Sequence, residues 1–182
     1  MKKDINRNGY IFLYATVLVV VVATLLTTAA LWLQPYQQRN KENEKRSMIL
    51  AAAGLPDGKI AFSEGELPVY RVNDSITVIP MQGKGLWGPI WGFFAIAPDG
   101  STLIGANFDH KSETPGLGGE ITTEKFQSQF SGKQIRENNR LKPIEFDAIT
   151  GATKTSDGVK EMIDNTLEAY APFLNKIKAT AK

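Results

Sequence analysis

From Tyr10 to Leu33 the chain is apolar and carries no charge. At about 1.5 Å per residue a helix of that length crosses a ~30 Å hydrocarbon core, so the pattern predicts a transmembrane helix over 10–33. Tyr10, Tyr14 and Trp32 fall near its ends, where amphipathic rings favour the membrane–water interface. A cleaved signal sequence would show a shorter apolar run and a small-x-small site. This run closes instead on Leu31-Trp32-Leu33, and an uncleaved anchor is the expectation. Residues 34–54 follow as a stalk helix. It is first rich in Gln, Asn, Lys and Glu, which read as a solvated face, then apolar at Met48-Ile49-Leu50 where it packs on the next domain, and it stops at Gly54 and Pro56.

Beyond residue 55 the apolar period shortens to that of strands. Runs at Lys59–Phe62, Val69–Val72, Ile76–Ile79, Ile90–Ala97 and Thr102–Phe108 predict an antiparallel sheet, with Asp99-Gly100 as the hairpin turn between the last two. Thr122 or Thr123 caps a short helix that Ser131-Gly132 ends after Phe130, and Lys142–Phe146 reads as one more strand. Val159, Met162, Ile163, Leu167, Tyr170 and Ala171 are spaced for one buried face of a helix from about Ser156 to Ala171, which Pro172 should end or kink. The order lacks regular βαβ alternation. The predicted fold class is α+β: an N-terminal transmembrane helix followed by one domain over 55–182, an antiparallel sheet flanked by helices. The glycine clusters at Gly83–Gly88 and Gly116–Gly119 do not follow a strand and open a helix, so a dinucleotide-binding turn is not supported.

Composition narrows the chemistry. With 21 basic and 19 acidic residues the formal charge is +2, far from the clustered excess of a nucleic-acid binder, and no nucleic-acid partner is expected. There is no cysteine and a single histidine, His110. Disulfides, thiolate catalysis, Cys-held clusters and multi-histidine metal sites are thereby excluded from this chain, and redox chemistry would need an organic cofactor. His110 receives no role. Lys2, Lys3 and Arg7 on one side of the apolar run balance Arg39, Lys41, Lys45 and Arg46 on the other, so charge alone does not orient the anchor.

Candidate chemistry concentrates in Asp147-Ala148-Ile149-Thr150-Gly151-Ala152-Thr153-Lys154-Thr155-Ser156-Asp157, between a strand and the last helix. Gly151 and Ala152 let backbone approach a ligand, and the helix start offers unpaired N–H groups and the positive end of its dipole. Thr150, Thr153, Thr155 and Ser156 add hydroxyls, and Lys154 can offset negative charge, a setting for a phosphate. The plain alternative is that Thr155 or Ser156 caps the helix while Thr150-Gly151 turns the chain.

The string Asp147-x-x-Thr150-Gly151-Ala152-Thr153 resembles the flavinylation motif of the FMN-binding domain family, in which a flavin transferase esterifies the FMN phosphate to the last threonine. By that resemblance Thr153 is the covalent attachment site, Asp147 serves the transferase reaction, Thr150, Gly151 and Ala152 shape the loop, and Thr155 is a decoy for attachment. Lys84-Gly85-Leu86-Trp87 and Glu113-Thr114-Pro115-Gly116-Leu117-Gly118 resemble two segments of the C-subunit family of the Na+-translocating NADH:quinone reductase. That family is related to the G subunit of the ferredoxin:NAD+ reductase complex, which remains the alternative host. In the second segment Pro115 fixes φ, and Gly116 and Gly118 permit close approach. Thr114, Leu117 and the loop backbone are candidate contacts of the isoalloxazine. Glu113 either hydrogen-bonds a flavin edge or closes a turn; Trp87 either stacks on the ring or fills the core as Trp91 does.

The resemblance implies a single-pass protein of the bacterial inner membrane, N-terminus (1–9) cytoplasmic and C-terminal domain periplasmic. It carries covalent FMN and no metal, and relays electrons beside the other subunits of a membrane complex, with the flavin transferase needed for maturation and membrane lipid around the anchor. The sequence shows no recognisable site for NADH or quinone. Two other readings stay open: an anchored binding module whose threonine loop only caps a helix, and a flavin reductase acting alone.

Overall fold

A computed structural model describes residues 5–65, 67–137 and 140–180, and the chain divides into two compact units, Met1–Glu44 and Lys45–Lys182. Lys2 and Lys3 lie outside the described residues, as does the Arg7 side chain.

Helix α1 spans Ile5–Ala52 without a break, and Pro35 sits inside it. Its uncharged part is long and apolar enough to cross a membrane, and large side chains from Tyr10 to Leu33 stand exposed along it. Three hydroxyls there are satisfied within the helix: Thr16, Thr24 and Thr28 each donate to the carbonyl four residues back, the solution a polar group in hydrocarbon requires.

In the second unit, β1 (Ile60–Glu64), β2 (Pro68–Val72), β3 (Ile76–Lys84), β4 (Pro89–Ile96) and β5 (Leu103–His110) pair in chain order as an antiparallel meander. The β4–β5 hairpin turns on Asp99, whose carboxylate accepts from the Ser101 and Thr102 N–H groups. Strand alternation splits the apolar residues between two faces. Val78, Phe93 and Ala95 face the end of α1, where Ile49, Leu50, Ala52 and Ala53 are buried. Ile79, Met81, Phe94 and Ile96 face the opposite core, closed by Phe126, Phe130 and the apolar side of α3 (Thr153–Thr180). Phe94, Phe108 and Phe130 meet there edge-on or tilted, with ring centroids 5.1–6.0 Å apart.

Three expectations are corrected. The helix expected through Phe130 is a broken helical path: a 3₁₀ turn at Gly118–Thr122, α2 (Glu124–Gln127) and a second 3₁₀ turn at Ser128–Phe130. Lys142–Phe146 is not a strand. A two-residue hairpin of β6 (Arg136–Glu137) and β7 (Arg140–Leu141) precedes it, and Ile144 and Phe146 still point at the core. Residues 131–135 occupy the adjoining edge of β5, and Pro143 has no N–H to give a ladder. Helix α3, finally, begins at Thr153 instead of Ser156 and passes through Pro172 to Thr180. Leu174, fully buried, extends the apolar face past the proline, and that packing outweighs one lost backbone bond.

Candidate functional site

Two glycine turns of the same design form the heart of the site. In Thr114-Pro115-Gly116-Leu117 the Leu117 N–H donates to the Thr114 carbonyl, and Gly116 takes φ +74°. In Ile149-Thr150-Gly151-Ala152 the Ala152 N–H donates to the Ile149 carbonyl, and Gly151 takes φ +78°. A positive φ at the third position is the type II pattern that a side chain resists. The turns touch: a Cβ on Gly151 would lie 3.1 Å from Leu117 Cδ2.

The second turn delivers the chain into α3. Ala152 has no side-chain acceptor, so the opening N–H groups of the helix receive no cap from it. Ser156, one turn in, accepts the Ile149 N–H on its hydroxyl at 3.1 Å and braces the turn from inside the helix. Neither Ser156 nor Thr155 is therefore an N-cap, which corrects the plain reading of these residues. Thr150, Thr153 and Lys154 are exposed, whereas Ala152 is buried and Thr155 is only 1% exposed.

Thr155 is buried because its hydroxyl donates to Glu113 Oε2 at 2.5 Å. The other oxygen, Oε1, accepts the Trp87 backbone N–H at 2.8 Å. Glu113 itself is 4% exposed. Burial works to raise its pKa, but the Thr155 hydroxyl and the backbone N–H groups of Trp87, Gly88 and Leu86 outweigh that and hold the carboxyl below its ordinary 4.5. The Glu113 N–H donates to His110 Nδ1, which makes His110 part of the loop's bracing.

Trp87 does not fill the core: it is 68% exposed. Its backbone is held from both sides, the N–H by Glu113 and the carbonyl by the Ser112 hydroxyl. Leu86 and Leu117 are also exposed apolar residues, so the two motif segments present a small apolar surface.

On the side of Thr150 a cleft of about 450 Å³ is lined by Glu120, Thr123, Phe126, Gln129, Asp147 and Ile149, among others, a size suited to a small ligand. Gln129 clamps the Asp147 backbone, accepting its N–H at 2.7 Å and donating to its carbonyl, and the Asp147 side chain is left exposed. Gln129, Ser112 and the Glu113–Thr155 pair escaped the sequence reading. Each acts through partners far away in the chain, and no local pattern marks them.

The structure thus gathers Trp87, Glu113, Gly118, Leu117, Gly151 and Thr155 into one contact network, with Thr153 and Lys154 on the exposed start of α3. A family model, the FMN-binding domain, matches residues 85–168, a span that includes both turns and the Asp147–Thr153 string. Among relatives, the C subunit of the Na+-translocating NADH-quinone reductase of Vibrio vulnificus (strain YJ016) is 33% identical over 162 residues, 79% of this chain and 64% of that protein. The Pasteurella multocida C subunit is 39% identical over 116 residues, 56% of this chain and 45% of that protein. The chain therefore spans less than two thirds of the length of these relatives. Among solved structures, the corresponding C subunit from Parabacteroides distasonis superposes with a TM-score of 0.71 at 31% identity, covering 78% of this chain and 96% of that one. Shewanella oneidensis NqrC shares the fold with a TM-score of 0.63 at 23% identity, over 78% and 99%.

Proposed function

The chain belongs to the C-subunit family of the Na+-translocating NADH-quinone reductases, and from that premise we propose that it carries FMN esterified through the phosphate to the Thr153 hydroxyl. It then acts as an electron-transfer subunit beside the other subunits of such a complex, after a flavin transferase has loaded it.

The observation that carries the choice of residue is the contrast between two hydroxyls in one helical turn. Thr155 is buried and committed to Glu113; Thr153 is exposed at the start of α3. A transferase must reach its acceptor, and of the two only Thr153 offers an accessible oxygen.

The surroundings fit the group. N–H groups at the start of α3 that Ala152 cannot cap would donate to phosphate oxygens, the helix dipole favours the negative charge, and exposed Lys154 offsets it further. Thr150, Gly151 and Ala152 keep the backbone close to the ester. Thr114, Gly116, Leu117 and Gly118 supply a turn, and with Trp87 an apolar surface suited to an aromatic ring. Asp147, its backbone clamped and its carboxylate exposed, is available to the transferase during loading. When bound, FMN supplies the redox chemistry; the protein supplies position, burial and hydrogen bonds that tune it.

The apolar span of α1 supports anchoring in a membrane, among lipid; membership of the family is the ground for proposing the bacterial inner membrane, with residues 1–9 cytoplasmic and the domain on the periplasmic side. A span over 10–33, a stalk over 34–54 and a domain over 55–182 belong to the same proposal, with the end of the stalk, from Ile49 to Ala53, built into the domain's core.

Intact-mass measurement with peptide mapping on protein from its native membrane tests the reading. An FMN-sized adduct on the Thr153 peptide, absent from Thr153→Ala, is the expected result. An unmodified peptide in native material would leave an anchored binding module as the better account.

A further inference from the structure

We infer that Glu113 is a positioning residue for the flavin: its buried carboxylate ties the first turn of α3 to the Trp87 turn and so fixes the backbone that carries the Thr153 hydroxyl relative to the backbone that carries the Trp87 ring. This rests on the flavinylation of Thr153 proposed above, and adds to it a residue that need not touch the cofactor.

One carboxylate serves two distant segments. Oε2 takes the Thr155 hydroxyl at 2.5 Å and Oε1 takes the Trp87 N–H at 2.8 Å. Thr155 stands two residues beyond Thr153 in the same helical turn, so any shift of one moves the other. Trp87 is gripped through its backbone, by Glu113 and Ser112, and its ring is left outward as a platform.

The slot admits little else. A Cβ on Gly118 would lie 2.5 Å from Glu113 Oε2, and one on Gly85 would lie 2.6 Å from Oε1. The backbone thus closes around both oxygens. Every neighbour that grips them is a donor, which suits a group that only accepts when ionised, and charge-assisted bonds of this kind are short and directional. Burying a carboxylate is costly unless it is fully paired. Two segments that merely needed to touch could do so through apolar side chains; an ionised acceptor gripped by donors from both instead imposes one angle and one distance.

The test uses the full chain co-expressed with the transferase and exported. Wild type is compared with Glu113→Ala, Thr155→Val, Thr155→Ser, Trp87→Phe and, as a control for lost stability, Ile163→Val in the core. Peptide mapping gives the loading of Thr153; flavin fluorescence and visible circular dichroism are then read on loaded protein, alongside thermal unfolding. In wild type the ring is expected to be quenched by Trp87, and Trp87→Phe to release it. Glu113→Ala and Thr155→Val should each lower Thr153 loading severalfold or, on loaded protein, raise the fluorescence severalfold with a changed dichroism. Thr155→Ser, which keeps the hydroxyl, should restore both, and Ile163→Val should lower the unfolding temperature without moving the flavin signals. Wild-type loading, fluorescence and dichroism in Glu113→Ala and Thr155→Val would overturn the inference, as would loaded wild type with unquenched flavin. Should Glu113→Ala not fold, the Thr155→Val and Thr155→Ser pair decides. Wild type without an adduct overturns the Thr153 reading and this inference together, whereas an adduct in every variant with identical spectra overturns only the latter.

Discussion

The Tyr170 hydroxyl donates to the Pro68 carbonyl at 2.7 Å, fastening α3 to the first residue of β2. Burial, and then electrostatic repulsion from Tyr70, push the Tyr170 pKa up from 10.0 to about 12. A raised folded pKa means that the contribution is complete below pH 10 and is lost as pH climbs toward 12. Tyr170→Phe should cost about 1 kcal/mol at neutral pH and flatten the loss of stability across that alkaline window. Denaturant titrations at both ends of the window measure it.

Glu113 predicts the opposite limb. Its pKa is held below the ordinary 4.5, so its contribution is present above that value and is lost as pH falls through the lower folded one. Wild type should therefore lose stability more steeply than Glu113→Gln on acidification below pH 4.5, which urea unfolding followed by circular dichroism will reveal.

At Thr153 chemistry and stability should separate. The side chain is exposed, so Thr153→Val is expected to change folding stability by no more than about 0.5 kcal/mol while abolishing the adduct. Thr153→Ser keeps a hydroxyl at the same place and should retain it. Intact mass and thermal unfolding on the same samples are sufficient.

Gly151→Ala forces a side chain into φ +78° and against Leu117. The backbone alone should cost about 1–2 kcal/mol, and the displaced turn should reduce loading of Thr153. Equal stability and equal loading would contradict the role given to this turn.

The meander was legible because each strand alternates between two cores, as Val78 and Ile79 or Phe93 and Phe94 do. The Asp147–Thr153 string was legible because its residues are contiguous. Lys142–Phe146 misled for an instructive reason: Ile144 and Phe146 do alternate inward, but alternation reports burial and cannot report whether a neighbouring strand is free to pair. Pro172 does not end the helix because its local cost is set against packing by Leu174, which becomes visible only once the helix has a core to meet. The Glu113–Thr155 bond joins residues 42 positions apart, and nothing near either residue announces the other. The bonds that hold the Trp87 backbone also come from residues 25 and 26 positions away, so its setting was hidden for the same reason.

Ile49, Leu50, Ala52 and Ala53 at the end of α1 are interior residues of the domain, covering one face of its sheet. A protease that cut the chain just after Gly54 would therefore leave that cover on the other fragment instead of shedding an intact domain. That fragment would present Tyr70, Val72 and Phe93 to water, whereas one released by a cut ahead of Met48 would keep its sheet covered.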